Sequence, residues 1–431
     1  MSTHLIKSPM QVQKFNLITN EMKINSARKL MLFDLSIYGH HPSYIQHFIN
    51  YWSQQELPGS LDIVVSQKFF QEHSDVVKQS TELKREDINF IAISQEEEAR
   101  LKPRNSTINR NLLAFQEWEL FCKYAELLKA TQGLIMYLDP YLLPLAVGMQ
   151  SPCPFSGIYF RPTFHYSSFS NYIPSWKNRL QQLREKFILN QVLRHPQLKT
   201  LFCLDPFAVK HINNFESEAR AIHLPDPVSL QLKDEYLLNN LRQRLKIKTG
   251  KKVFLLFGAL NGRKGIYQLL EAIQLLPSAL CEQMCLVFVG EANPTDKALI
   301  QSKVAATCQT QTVQIIQHYE FVPEQDVQAY FQLADVVLAP YQRHVGMSGI
   351  LLLAAAANKP VLSSNYGLMG EMVQRYQLGI AVDSTVPEEI AKGLQHYLVA
   401  PPEEVGKCKQ MQLFAEQNSA DKFAQILFQD V

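Results

Sequence analysis

No stretch of this chain approaches the roughly 18 unbroken apolar residues that a membrane span needs. Its opening residues, MSTHLIKSPMQVQKFN, lack the apolar core of a secretory signal. Net charge is scarce too: 42 Lys and Arg stand against 40 Asp and Glu, which leaves +2 and no whole-protein field to gather nucleic acid. The cysteines (Cys122, Cys153, Cys203, Cys281, Cys285, Cys308, Cys408) are odd in number, scattered, and without a C-x-x-C pair. That fits buried thiols in a reducing compartment and argues against a zinc site. No short repeat or low-complexity tract is visible. The expectation is a cytoplasmic protein whose membrane contact, if any, is peripheral at the inner face.

What is present is an apolar fraction of 46% over 431 residues, more than one ordinary core would hold. Short apolar runs alternate with helical patterns. In the first half the strand candidates are 29–35, 61–66, 89–94, 133–138, 156–160, 200–204 and 221–224, with helices such as 43–54 and 112–130 between them. After Pro225-Asp226-Pro227, a stiff break, the pattern restarts with 252–257, 284–290, 313–317, 336–339 and 360–363. Strand and helix in turn predict parallel sheets covered on both faces. The fold class is therefore α/β, with two doubly wound Rossmann-like domains over 1–228 and 229–431, the last helix free to pack back on the first. Ligands of such sheets sit beyond the carboxyl ends of the strands, so a cleft between the domains is the expected site.

Two places in the second half carry chemistry. In FLLFGALNGRKGIYQLLEAI a buried strand ends at Phe257, and Gly258 opens a turn through Asn261 and Gly262. Arg263 and Lys264 then stand at a helix start, with Gly265 keeping the backbone close. Backbone N–H groups and two cations suit a phosphate; a solvated basic loop is the alternative. In PYQRHVGMSGILLLAAAANKP, Gly346, Ser348 and Gly349 leave the first turn of a helix bare, with amides expected to be free from Ser348 to Leu351. The apolar body from Ile350 onward serves the core, which does not explain so bare a start.

Taken in order, these blocks resemble the nucleotide-sugar domain of GT-B glycosyltransferases, in particular the retaining family 4 (group 1) enzymes. The resemblance rests on G-x-L-x-x-x-KG at 258–265, ADVVLAPY at 334–341, SGILLLAAAANKPVL at 348–362, YGLMGEMV at 366–373 and LGIAVD at 378–383. It implies a GT-B fold and sugar transfer from a nucleotide-diphosphate sugar, with no cofactor and no metal. It assigns the donor diphosphate to Lys264 and to the helix start at Ser348, Gly349, Ile350 and Leu351. The base packs at 319–322, which includes Phe321 and Val322, and Glu371 opens the next helix. His344 is placed to reach a sugar hydroxyl. Where the family carries an arginine after the first turn glycine this chain has Ala259, and Arg263 offers the cation instead. Where it carries two glutamates eight apart, this chain has Val345 and Leu353.

On the acceptor side, SIYGHHPSYIQHF follows the first strand, with Gly39 permitting a turn and His40 and His41 as polar rings beyond the strand end. Asp139, after the fourth strand, is a candidate for touching the donor sugar or for capping a helix. Arg161 and His165 follow the fifth strand, and an arginine there suits a phosphate. The segment 174–199 joins Lys177, Arg179, Arg184, Lys186, Arg194 and Lys199 to Trp176, Leu180, Leu183 and Phe187. It reads either as a basic amphipathic helix for an anionic membrane or as an ordinary helix with one packed face.

The first expectation is thus a glycosyltransferase with Arg263, Lys264 and Asp139 as catalytic candidates and an unidentified, potentially lipid-linked acceptor hydroxyl. A non-catalytic GT-B partner subunit and a sugar-nucleotide epimerase are the alternatives. Val345 and Leu353 favour the former of these.

Overall fold

A computed structural model describes residues 28–83, 85–103, 105–229, 234–400 and 408–431; the N-terminal stretch read above for a signal, and the Cys408 side chain, lie outside them. The chain divides into two compact units. One comprises residues 1–163, 180–224 and 423–431, and the other comprises 164–179 and 225–422.

The first unit is built on a seven-stranded sheet: β1 (Lys29–Phe33), β2 (Ser60–Val65), β3 (Ile88–Ala92), β4 (Gln132–Ile135), β5 (Phe155–Tyr159), β6 (Leu198–Cys203) and β7 (Arg220–His223). Their order is β3-β2-β1-β4-β5-β6-β7, and every pairing is parallel. The strands are nearly unbroken apolar runs because both faces are covered. From KLMLF only Lys29 is exposed. Helix α1 (His41–Gln54) turns Tyr44, Ile45, Phe48, Ile49 and Trp52 inward, and α2 (Thr107–Leu127) buries Trp118 and Phe121. Helix α3 (Trp176–Leu193), whose first four residues cluster with the other unit, buries Leu189, Val192 and Leu193.

The second unit repeats the plan with six strands: β8 (Lys252–Phe257), β9 (Met284–Val289), β10 (Gln314–His318), β11 (Val336–Ala339), β12 (Val361–Ser364) and β13 (Gly379–Val382). The order is β10-β9-β8-β11-β12-β13, again parallel throughout. Helix α4 (Ile266–Gln274) follows β8, α5 (Ile350–Ala356) precedes β12, and α6 (Gly367–Tyr376) follows it. Among the described residues no helix is long and apolar enough to cross a membrane.

Strand order reverses between β1 and β4 in one sheet and between β8 and β11 in the other. At such a reversal the two following loops diverge to opposite faces and leave a crevice beyond the strand ends. Each unit's polar cluster lies at its own reversal, as the next section shows.

Two segments depart from simple chain order. Residues 164–179, read above with the first domain, cluster with the second unit, where the Tyr172 ring meets Tyr366 at 5.4 Å. The C-terminal helix α7 (Ala420–Gln429) contributes Phe423 to the first unit's core, 4.8 Å from the Tyr44 ring and 5.1 Å from Phe48. Phe428 meets Trp52 edge-on at 5.4 Å.

Phe423 is fully buried, so Phe423→Ala should cost the first unit about 3–5 kcal/mol. Buried Trp52 and Trp118 report that unit's urea transition by fluorescence. An unchanged midpoint would mean that α7 does not belong to this core.

Candidate functional site

The second unit's site is assembled where β8 and β11 end. Gly265 adopts φ +76°, and a Cβ there would fall 2.0 Å from the Pro340 carbonyl oxygen. Only glycine lets the loop after β8 press this closely on the loop after β11. The Gln342 amide donates to Arg263 O at 2.9 Å and fastens the two loops together.

That contact carries Lys264 inside. Its side chain is 6% exposed, and Nζ donates to Phe257 O at 2.9 Å and to the Tyr341 hydroxyl. The ammonium also lies 4.4 Å from the Tyr341 ring centroid, a cation–π distance. Among the described residues no carboxylate pairs with it. Burial, and secondarily the Arg263 charge, lower its pKa to about 7. Gly258, at φ +100°, leaves room for Nζ: a Cβ there would stand 3.0 Å away.

Tyr341 is the hub, and sequence reasoning passed over it. Its ring receives Lys264 and, at 5.6 Å, the exposed Arg263 guanidinium. Its hydroxyl lies 3.3 Å from Ser348 Oγ. Burial raises its own pKa, so the hydroxyl stays protonated. The only sequence signal was its position, directly after the buried run VVLAP.

His344 joins the same cluster. Nδ1 is 3.5 Å from Arg263, Nε2 is 3.2 Å from Met347 O, and the ring meets Tyr341 edge-on at 5.6 Å. Asn261 heads the turn, its carbonyl accepting from the Lys264 amide at 3.1 Å. Its Oδ1 is buried without a hydrogen-bond partner among the described residues.

The start of α5 is bare for no reason internal to the fold. Gly349 has φ −56°, an ordinary value for any residue, and a Cβ built on it meets nothing within 4 Å. The expected run of free amides is shorter by one, because Leu351 N donates to Ser348 O at 3.1 Å in a tight first turn. Ile350 and Leu351 point their side chains into the core.

Three further residues make no hydrogen bond, ion pair or ring contact with Lys264. Phe321 is 73% exposed, with half-buried Val322 beside it, in the loop after β10, two strands from β8 in the sheet order. Glu371 does not open its helix: α6 begins at Gly367, so Glu371 is its fifth residue, ion-paired to Arg375 at 2.9 Å. Leucine and valine at 353 and 345 accept nothing through their side chains; the Val345 backbone carbonyl accepts the Leu368 amide at 2.9 Å.

In the first unit a second cluster forms at the ends of β1 and β4. His41 Nδ1 lies 2.7 Å from Oδ2 of buried Asp34, whose other oxygen accepts the Ser36 amide at 3.0 Å. A carboxylate oxygen only accepts, so Nδ1 is the donor in this contact. The imidazole is stacked on Phe160 at 6.2 Å and meets Tyr137 edge-on at 5.7 Å. Asp34 was not anticipated, although an aspartate directly after KLMLF is a charge at the end of a buried strand.

The remaining first-half candidates differ in kind. Gly39 takes φ +71° in the turn, and His40 is exposed, stacked on Tyr44 at 5.9 Å. Asp139 accepts the Phe160 amide at 2.8 Å and the Arg161 amide at 3.0 Å, which braces the end of β4 against that of β5. Burial lifts its pKa to about 7 against those two amides. It also lines a cavity of about 420 Å³ together with Tyr137, Glu117, Leu143, Arg184 and Glu185. The Arg161 side chain is exposed. His165 falls in the second unit, buried against Tyr166 at 4.9 Å and Phe169 at 5.3 Å. Its aromatic neighbours make it a core histidine.

The lowered pKa of Lys264 has a consequence for stability. An unfolded lysine titrates near 10.5. Between about 7 and 10.5 the unfolded chain holds a proton that the folded chain has released, so stability rises with pH across that window and the buried charge weighs most below it. Lys264→Met should therefore raise the thermal midpoint of the ligand-free protein most at about pH 6, the gain fading toward pH 10. A gain of the same size at every pH would contradict this.

Comparison with known proteins bears on the same half. Residues 239–416 match the family model described as glycosyl transferases group 1. A lipopolysaccharide 1,2-N-acetylglucosaminetransferase of Salmonella typhimurium is 32% identical over 138 residues, covering 31% of this chain and 36% of that protein. The match thus spans about a third of that relative's length. Among solved structures, WaaG, a glycosyltransferase involved in lipopolysaccharide biosynthesis, is 14% identical with a TM-score of 0.60, over 93% of this chain and 98% of that one. Anabaena HepE in complex with UDP is 12% identical at 0.63, with 93% and 98% covered. Sucrose-phosphate synthase of Thermosynechococcus elongatus is 14% identical at 0.63, with the same coverages. At these identities the structural likeness shows the fold, which is GT-B.

Proposed function

We propose that the protein transfers a glycosyl group from a nucleotide-diphosphate sugar to an acceptor hydroxyl, a reading supported by the match of residues 239–416 to the group 1 glycosyltransferase model and by the GT-B fold. The observation that carries the reading is Lys264, a buried ammonium with no carboxylate, set at the sheet's reversal beside a helix start with open space. A diphosphate supplies the missing negative charge. The UDP bound to the Anabaena neighbour supports a uridine nucleotide as the first to try.

In this reading the bond between the sugar's anomeric carbon and the diphosphate oxygen breaks, and negative charge grows on the leaving diphosphate. Lys264, Arg263 and the amides of Ser348, Gly349 and Ile350 are fixed where that charge develops. They stabilise the transition state more than the ground state. Tyr341 holds Lys264 and Ser348 in one constellation. Retention of anomeric configuration, with a leaving-phosphate oxygen taking the acceptor proton, is the course that the family resemblance favours. Nothing beyond the donor is required as a cofactor. Recognition of the acceptor is assigned to the first unit's cluster around His41. Among the described residues six cysteines are free, four of them buried, which favours a reducing compartment and hence the cytoplasm.

Lys264→Ala should lower kcat/KM for transfer from UDP- or GDP-sugars by about 10²–10³-fold and abolish the calorimetric heat of nucleoside-diphosphate binding. Unchanged turnover would remove Lys264 from the mechanism. The second reading, a partner subunit that keeps the fold without the chemistry, is favoured by Val345 and Leu353. It predicts no heat with any nucleoside diphosphate even in the unaltered protein.

A further inference from the structure

Helix α3 is apolar on two opposite sides. At about 100° per residue, Leu189, Val192 and Leu193 lie on one side and are buried. Trp176, Leu180, Leu183 and Phe187 fall within about 60° of one another on the other side, and they are 68, 56, 65 and 65% exposed. The core-facing side already accounts for the packing of the helix. Among the described residues nothing covers the outer stripe. Single exposed apolar residues are ordinary, but four in register on one helix mark an interaction surface.

Charge decides what the surface fits. Lys177 and Arg184 project about 80–100° to one side of the stripe, and Arg179 and Lys186 about 60–80° to the other. Among the described residues none of the four is paired with a carboxylate. The one acidic residue of the helix, Glu185, is turned inward, where it accepts the Tyr159 hydroxyl at 2.6 Å and the Thr163 amide at 2.7 Å. What the helix itself presents outward is an apolar centre with basic flanks, of which Arg184 also lines the cavity that Asp139 and Glu117 share.

An anionic lipid surface complements both features at once. The acyl boundary takes the Trp, Leu and Phe side chains, the headgroup phosphates take the cations, and the lysine and arginine stems lie along the boundary between them. We propose that α3 seats the protein in the plane of an anionic bilayer, with the stripe Trp176–Leu180–Leu183–Phe187 inserted. The proposal does not depend on the transfer reading, since it rests on a face of α3 and not on Lys264.

The test is flotation of the full chain with vesicles of phosphatidylcholine alone or mixed in equal parts with phosphatidylglycerol. Binding should require the anionic lipid and weaken with salt. It should fall at least about tenfold in Leu183→Ser/Phe187→Ser and also in Lys186→Glu. Circular dichroism and nucleotide binding of the same variants show whether the fold is intact. Failure to bind anionic vesicles, or binding indifferent to these substitutions, overturns the proposal. So does a concentration-dependent dimer that Phe187→Ser dissolves while vesicles are ignored, which would make the stripe a contact between copies.

Discussion

A lysine ammonium buried without a carboxylate is the constraint from which the second unit's site follows. Desolvation makes such a charge costly, and the chain offsets it only in part, through one carbonyl, one hydroxyl and the face of one ring. A purely structural lysine in this position would be replaced by an apolar residue at no loss. An anion completing the site would offset the rest of that cost. The same argument explains Gly265, which holds the two loops close enough to bury Lys264, and Gly349, which keeps the space beyond it open.

Topology supplies the rest. Each parallel sheet reverses its strand order once, and each polar cluster lies at that reversal: Lys264 with Tyr341 after β8 and β11, His41 with Asp34 and Tyr137 at the ends of β1 and β4. The two clusters differ in character. One concentrates positive charge and hydrogen-bond donors, as a leaving diphosphate requires. The other presents an imidazole anchored on a buried carboxylate, which suits a hydroxyl group. Division of labour between donor and acceptor is thus consistent with the chemistry of each unit taken separately.

Much of this was legible beforehand because buried parallel strands are plain in sequence. KVFLLF and VVLA were bounded as they occur, and the basic turn after KVFLLF holds the lysine that the structure buries. The exceptions have physical causes. GIAV, the edge strand β13, is four residues long and starts at a glycine with φ +151°, so its pattern is too short to separate from a loop. Tyr341 and Asp34 act through partners distant in sequence or across a turn, which spacing does not reveal. His165 was grouped with Arg161 by proximity along the chain, whereas the chain passes between units at residue 163. Glu371 looked like a helix-opening acid because the start of α6 is set by Gly367, in the left-handed region at φ +64°, and not by an acidic cap.

The most direct measurement is the titration of the Lys264 side chain followed by NMR with isotope-labelled lysine, without and with saturating UDP or GDP. The account predicts a free-protein pKa near 7 that moves up markedly when the diphosphate binds, because an anion within contact favours the charged form. A lysine that titrates at the ordinary value in the free protein, or one whose titration ignores every nucleoside diphosphate, would contradict it.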